Sequence, residues 1–215
     1  MLNVCMKYIW LLFLLLLLPF EAHARPISYP GGWTLMTHNN GDSNHTHIHY
    51  SPTAKYSLGV SVEYLREEKQ RNFNLQWNQL LFRRNTAKSQ ANLYLKTEAG
   101  VASKNDEEEP NLRLRLSGDW ETRRYYTSYE LGGRYSGDIE VDSFHQQARL
   151  GIAPYLADYG ALHTWFMLQF EHHPDEETND QFRVTPLVRM FKGRSLLEVG
   201  VDDDEKLLFN FIYRY

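Results

Sequence analysis

Cysteine and long apolar runs are scarce in this chain of 215 residues. The single cysteine, Cys5, lies in the leading segment, so the rest of the chain can form neither a disulfide nor a thiol-based site. After the apolar stretch from Tyr8 to Phe20, no segment approaches the ~18 apolar residues that a membrane-spanning helix requires. These absences exclude a disulfide-stabilised scaffold and a bundle of transmembrane helices.

The leading segment has the features of a secretory signal peptide. Lys7 precedes the apolar run, and Ala22-His23-Ala24 fits the small-x-small pattern of a cleavage site. The alternative is a transmembrane anchor, but the run is short for a hydrocarbon layer of ~30 Å. We therefore predict a signal peptide at 1–24, cleaved after Ala24, and a single domain at 25–215.

Aromatic residues are abundant although mean hydropathy is −0.54: the chain has fourteen Tyr, eleven Phe and five Trp. Apolar and polar residues alternate at period two, as in a strand with one polar and one apolar face. The alternation predicts twelve strands, or ten if 195–202 or the first hairpin is irregular. The predicted strands are 32–38, 45–50, 55–65, 72–82, 89–101, 112–121, 124–135, 142–153, 162–171, 181–191, 195–202 and 207–215.

Charge separates the two faces of these segments. The apolar faces carry no Asp, Glu, Lys or Arg, whereas the opposite faces carry seven basic and seven acidic residues. A soluble sandwich would bury the apolar face and a membrane barrel would expose it to lipid, so periodicity alone leaves both open. The charged positions are Lys96, Arg113, Arg115, Arg134, Arg149, Arg183, Arg189, Glu63, Glu98, Asp119, Glu121, Glu130, Glu171 and Glu198.

The last predicted strand favours the membrane alternative. Its outward face consists of Leu207, Phe209, Phe211, Tyr213 and Tyr215. A final aromatic preceded by apolar residues at every second position resembles the C-terminal signal of bacterial outer-membrane β-barrels. The resemblance implies an all-β, closed, antiparallel up-and-down transmembrane β-barrel in the outer membrane, inserted by the barrel-assembly machinery. Its surroundings would be membrane lipid and lipopolysaccharide, and we expect a monomer.

Tyrosine and tryptophan lie near segment ends, where the aromatic girdles at the membrane interfaces belong.

The connections between segments differ in charge. Four of the connections predicted to face outward contain carboxylate clusters, at 102–111, 136–141, 172–180 and 203–206. The connections predicted to face the periplasm are neutral or basic. The acidic outer connections lead us to expect a mild preference for cations at the mouth of any pore.

Histidines form a cluster in the first predicted hairpin: His38, His45, His47 and His49. Pairing of His38 with His45 would direct all four imidazoles into the lumen, where they could bind Zn, Cu or Ni. The alternative is a set of polar residues that fills the lumen. His172 and His173, beside Asp175, Glu176 and Glu177, are a second candidate or a solvated loop.

Three functions fit this sequence. The inward charges could line a narrow pore or small-solute barrel, or fill the lumen as a salt-bridge network. A metal-binding surface barrel built on the histidine hairpin is an alternative, with a divalent ion as the one cofactor to expect. A hydrolase or lipid A-modifying enzyme is a further alternative, but no serine–histidine pair suits it and we predict no catalytic residues. The net charge of −4 disfavours nucleic-acid binding.

Overall fold

The computed structural model describes residues 27–138, 140–158, 160–174 and 181–215, without the side chains of 140–142. The predicted signal peptide, its cleavage site and the acidic run 175–177 lie outside these residues. Within the described part of the chain, no helix is long and apolar enough to cross a membrane.

Twelve strands follow one another along the chain, each antiparallel to the next. Their positions agree closely with the sequence alternation. The strands are β1 (Gly32–Asn39), β2 (Ser43–Thr53), β3 (Tyr56–Leu65), β4 (Gln70–Asn85), β5 (Ser89–Lys104), β6 (Glu107–Thr122), β7 (Tyr125–Ser136), β8 (Glu140–Ile152), β9 (His163–His172), β10 (Phe182–Lys192), β11 (Ser195–Val201) and β12 (Leu207–Arg214).

The first and last strands close the sheet into a barrel. β1 pairs with β12 from Thr34↔Arg214 to Asn39↔Phe209. Backbone hydrogen bonds extend the seam: the Trp33 amide donates to the Tyr215 carbonyl at 2.8 Å, and the Tyr215 amide donates to the Trp33 carbonyl at 3.1 Å. Closure leaves no unpaired edge, as a lipid environment demands. The prediction of an all-β, twelve-stranded up-and-down barrel is confirmed.

Burial shows which face points inward. In β3, Ser57 and Ser61 are 0% and 1% exposed, whereas Leu58 and Val62 are each 52% exposed. A soluble barrel would show the reverse order, because apolar burial drives its folding. The apolar residues therefore form the outer surface, and the polar residues line the interior.

The β5–β6 hairpin differs from the prediction. A loop was expected over 102–111, but the strands continue to Lys104 and resume at Glu107, with Ser103 opposite Glu108. Asn105 and Asp106 form the turn at φ 53° and 67°, values that Asn and Asp tolerate better than most residues. Much of the acidic run therefore lies in a paired strand rather than in a free loop.

Candidate pore lumen

Carboxylates in the barrel interior lie between cations on neighbouring strands. Arg113 on β6 and Arg134 on β7 are direct cross-strand partners, an arrangement that repels unless an anion separates them. Glu63 fills that role, with its oxygens 2.9 Å from Arg113 and 2.6 Å from Arg134. Lys96 and Arg115 form a second like-charged pair. Glu130 lies 2.5 Å from Lys96 and 3.5 Å from Arg115.

Two further carboxylates complete the network. Glu98 accepts a hydrogen bond from Arg115 and another from the Ser61 hydroxyl at 3.0 Å. Glu198 on β11 is 2.6 Å from Arg189 and 3.2 Å from Arg149. The Asn210 amide donates to Glu198 at 2.8 Å. Each of these charges is thus neutralised by a specific partner, which burial of an ion requires.

A glycine makes room for the network. Gly132 on β7 faces Arg115, and a Cβ at this position would lie 2.4 Å from Arg115 Cγ and 2.5 Å from the Leu114 carbonyl oxygen. Any larger residue would push the guanidinium away from Glu98 and Glu130. The sequence shows the glycine, but only the cross-strand register shows what it accommodates.

An amide ladder on β4 was missed at the sequence level. Its members alternate with outward apolar residues and are at most 4% exposed: Gln70, Asn72, Asn74, Gln76 and Asn78. The Asn72 amide donates to Glu63 at 3.1 Å, and Asn111 donates to Asn74 at 2.7 Å. These amides recur at period two in the sequence, but they carry no charge, so a prediction of inward residues based on charge does not include them.

Part of the interior is apolar, which the sequence reading also missed. Met36, Leu196 and Ile212 pack together with Phe191, and Met167, Leu187 and Leu208 form a second cluster. Tyr126 and Trp165 border the second cluster, and the Arg189 guanidinium lies 4.6 Å from the Tyr126 ring centroid. Scattered apolar residues on the polar faces gave no signal until the fold brought them together.

The histidine cluster lines the interior on β1 and β2. β2 pairs with β3, which in turn pairs with β4, the strand of the amide ladder. His38 pairs with His45 across the hairpin, and the ring centroids of successive histidines are 5.1–6.3 Å apart. His45, His47 and His49 are at most 6% exposed. Gly59 leaves the space for His49, since a Cβ there would lie 2.6 Å from His49 Cβ. In the described residues, no three His, Cys, Asp or Glu side chains converge as a metal site.

The remaining predicted charges lie toward the two ends of the barrel. Asp119 accepts a hydrogen bond from Asn92 at 2.7 Å, and Glu171 accepts one from Gln147 at 2.9 Å. Glu121 lies on the inward face of β6, opposite Gln90 and Tyr126. Arg183 is 5% exposed and forms an ion pair with Asp42 at the loop end.

The Asp42 carboxylate links the first hairpin turn to the last strands. Lys206 Nζ lies 3.2 Å from it, and Arg183 donates to its other oxygen. Burial alone would raise the pKa of Asp42, but the two cations outweigh it and hold that pKa below its ordinary value. Arg66 donates to the Asn40 and Gly41 carbonyls from the opposite side. The turn is therefore fixed to β10 through Arg183, to the β11–β12 connection through Lys206, and to the β3–β4 connection through Arg66.

Four of the predicted insertion-signal residues face outward on β12, and the fifth, Tyr215, directly follows the strand. Leu207, Phe209 and Tyr215 are 58%, 40% and 43% exposed, and Phe211 and Tyr213 are half-buried. At the second histidine candidate, His172 stacks on Phe182 with the ring centroids 4.2 Å apart. The acidic residues predicted beside it lie outside the described residues.

Comparison with known proteins finds solved structures of similar fold. No family model matches the chain, and no curated protein does. Two structures of the KdgM porin, one in complex with disordered oligogalacturonate, superpose with a TM-score of 0.51 at 8% and 9% identity. Each covers 86% of this chain and 98% of the porin. LpxR from Salmonella typhimurium is looser, with a TM-score of 0.43 at 7% identity, over 85% of this chain and 99% of LpxR. The chain thus has the fold of a bacterial outer-membrane β-barrel, and that fold locates it in the outer membrane.

Proposed function

We propose that the barrel is a narrow pore that prefers small anions. The observation that carries the proposal is an asymmetry of exposure inside the lumen. The carboxylates of Glu63, Glu98 and Glu198 have side chains 1–3% exposed, whereas the basic groups paired with them remain 9–16% exposed. The surface that water reaches is therefore richer in positive charge than the residue count suggests.

Five of these basic side chains, together with Lys96, which pairs with Glu130, face the lumen from β5, β6, β7, β8 and β10. They are Lys96, Arg113, Arg115, Arg134, Arg149 and Arg189. Glu130, at 16% exposure, is the accessible carboxylate among them, and it lies between Lys96 and Arg115. Pore-lining arginines and lysines favour anions because they replace part of the hydration that an entering anion loses.

The same burial argues for a narrow path. Most inward residues of β2, β3 and β4 contact one another so closely that they are nearly inaccessible to water. A wide aqueous channel would leave those side chains exposed. The proposal therefore concerns small solutes, and the fold shared with the KdgM porin supports the pore class without indicating which solute passes.

This proposal revises the cation preference expected from the sequence. That expectation rested on the acidic outer connections, which lie at the mouth and are screened by salt over ~10 Å. Selectivity depends more strongly on the narrowest part of a path, where desolvation is greatest. Among the paired lumen charges that water reaches, basic groups predominate over the single accessible carboxylate of Glu130.

Reversal potential in a planar bilayer tests the proposal. With purified barrel and a KCl gradient, we expect a potential of the sign set by chloride, because K⁺ and Cl⁻ have similar mobilities in water. Lys96→Gln should shift that potential toward zero, since Lys96 is a lumen cation. Lys192→Gln is the matched control, because it removes an exposed ammonium at the end of β10, outside the lumen.

Three results would contradict the proposal. They are a barrel that inserts but does not conduct, a reversal potential of potassium sign, and equal effects of Lys96→Gln and Lys192→Gln. The first would leave a structural barrel with a closed lumen.

The hydrolase alternative has less support. His172, at the end of β9, stacks on Phe182 and has its Nδ1 3.3 Å from the Gln146 amide nitrogen, rather than beside a serine. We therefore include no catalytic step in the proposed function.

A further inference from the structure

The inner wall formed by β1 and β2 combines imidazoles with a thioether. Met36 on β1 is the direct cross-strand partner of His47 on β2. His45 flanks His47 on the same strand face, with the ring centroids 5.1 Å apart. Opposed side chains on one face of an antiparallel pair have Cβ atoms ~5 Å apart, so the sulfur and both rings lie within reach of one ion.

Ring nitrogens in this wall lack hydrogen-bond partners. His45 Nε2, His47 Nδ1 and both nitrogens of His49 are buried without one. Glu98 Oε2 lies 3.5 Å from His45 Nε2, but this oxygen already accepts a hydrogen bond from the Ser61 hydroxyl at 3.0 Å. Leaving a buried polar atom unpaired is costly. A neutral imidazole has one nitrogen with a free lone pair, so each of these rings can offer one nitrogen to a ligand.

The surroundings favour a soft ion of low charge. Met36 is 8% exposed and packs against Leu196 and Ile212, so its side chain borders an apolar environment. A dication would lose more hydration energy there than a monocation. Thioether sulfur is a ligand preferred by Cu(I), and imidazole also suits copper. Cu(I) also needs fewer ligands than the tetrahedral set of structural zinc, and in the described residues no three-ligand group suited to zinc occurs.

We propose that Met36, His45 and His47 form a binding site for Cu(I). The proposal is independent of the pore, because the site uses one wall of the lumen and requires no conduction. It replaces the divalent ion expected from the sequence with a monovalent one, and it adds a ligand, Met36, that a search for histidines alone overlooks.

Competition with bicinchoninate under anaerobic conditions measures the affinity directly. We expect the purified, refolded barrel to retain one Cu(I) per chain. Met36→Leu should weaken binding by roughly tenfold or more, because removal of even a residue that only supports a metal ligand typically costs that much. The double variant His45→Ala/His47→Ala should abolish retention. The control His172→Ala/His173→Ala, which removes two histidines elsewhere, should leave the affinity unchanged.

A second measurement on the unaltered protein avoids any folding defect in the variants. After the predicted cleavage the chain keeps three methionines, Met36, Met167 and Met190. Titration with Ag⁺, a stable analogue of Cu(I), should shift the methyl NMR signal of Met36 and leave the other two in place. Failure to retain Cu(I), equal weakening by Met36→Leu and by the control pair, or an unshifted Met36 methyl signal would each overturn the site.

Discussion

At the scale of single residues, the interior depends on anions held between cations that would otherwise repel each other. Glu63 separates Arg113 from Arg134, and Glu198 separates Arg149 from Arg189. The sequence identified these residues as inward-facing charges. It could not assign their partners, because Glu63 and Arg134 are far apart in the chain and meet only through the barrel's curvature. Their assignment required the strand register.

Asp42 supplies a pH-dependent prediction at this scale. Because its folded pKa lies below the ordinary 3.8, its ion pairs contribute stability that is fully present above that value and is lost as the pH falls through the lowered pKa. Hydrogen exchange of the Ser43 amide, which donates to Asn40 Oδ1 at 2.8 Å, reports on this turn.

We expect the wild type to protect this amide more strongly than Asp42→Asn does at pH 5–7, with the difference declining below the ordinary pKa of 3.8 and disappearing once the pH is below the lowered pKa. Intrinsic amide exchange changes with pH in both proteins, so comparison of the wild type with Asp42→Asn at the same pH removes that effect. A protection difference that persists unchanged to pH 2 would show that the carboxylate charge does not fix the turn.

At the scale of strands, the sequence predicted nearly all of the architecture. Alternation placed the strand ends within three residues, except the start of β6, which lies five residues before the predicted one, since period two persists wherever one face meets lipid and the other a polar interior. Irregularities escaped prediction. The register shifts between Leu80 and Phe82 in β4 and between Tyr50 and Thr53 in β2, and neither shift interrupts the local pattern enough to be seen.

The last strand carries the prediction at this scale. Deleting Phe211–Tyr215 removes the residues opposite Thr34 to Thr37 of β1 and opens the seam. An open edge leaves backbone groups unpaired in lipid, so the truncated chain should fail to form the compact, heat-modifiable band typical of a folded barrel on a gel. The conservative pair Phe209→Leu/Phe211→Leu, which keeps the face apolar, should retain that band. Normal amounts of folded truncated protein in the outer membrane would refute the role of this seam.

At the scale of the whole molecule, one arrangement accounts for both composition and fold. A chain with a negative mean hydropathy can span a membrane because its apolar residues cover the outside while amides, charges and histidines fill the inside. The apolar patches within the lumen, around Met36 and Met167, do not alter this assignment, since they are enclosed by inward-facing neighbours. The proposed anion pore and the proposed copper site both depend on this division of faces.

The most direct test of that division compares two adjacent residues of β6. Leu114 is 50% exposed on the outer face, and Arg115 points inward to Glu98 and Glu130. Free energies of unfolding, measured by denaturant titration in phospholipid, should fall by about 2–4 kcal/mol for Leu114→Arg, because the charge enters the hydrocarbon layer. Leu114→Ile should change little. Arg115→Leu should leave a folded barrel with altered lumen pairing. If Leu114→Arg proved harmless while Arg115→Leu prevented folding in lipid, the apolar face would not be the membrane face and the account would be contradicted.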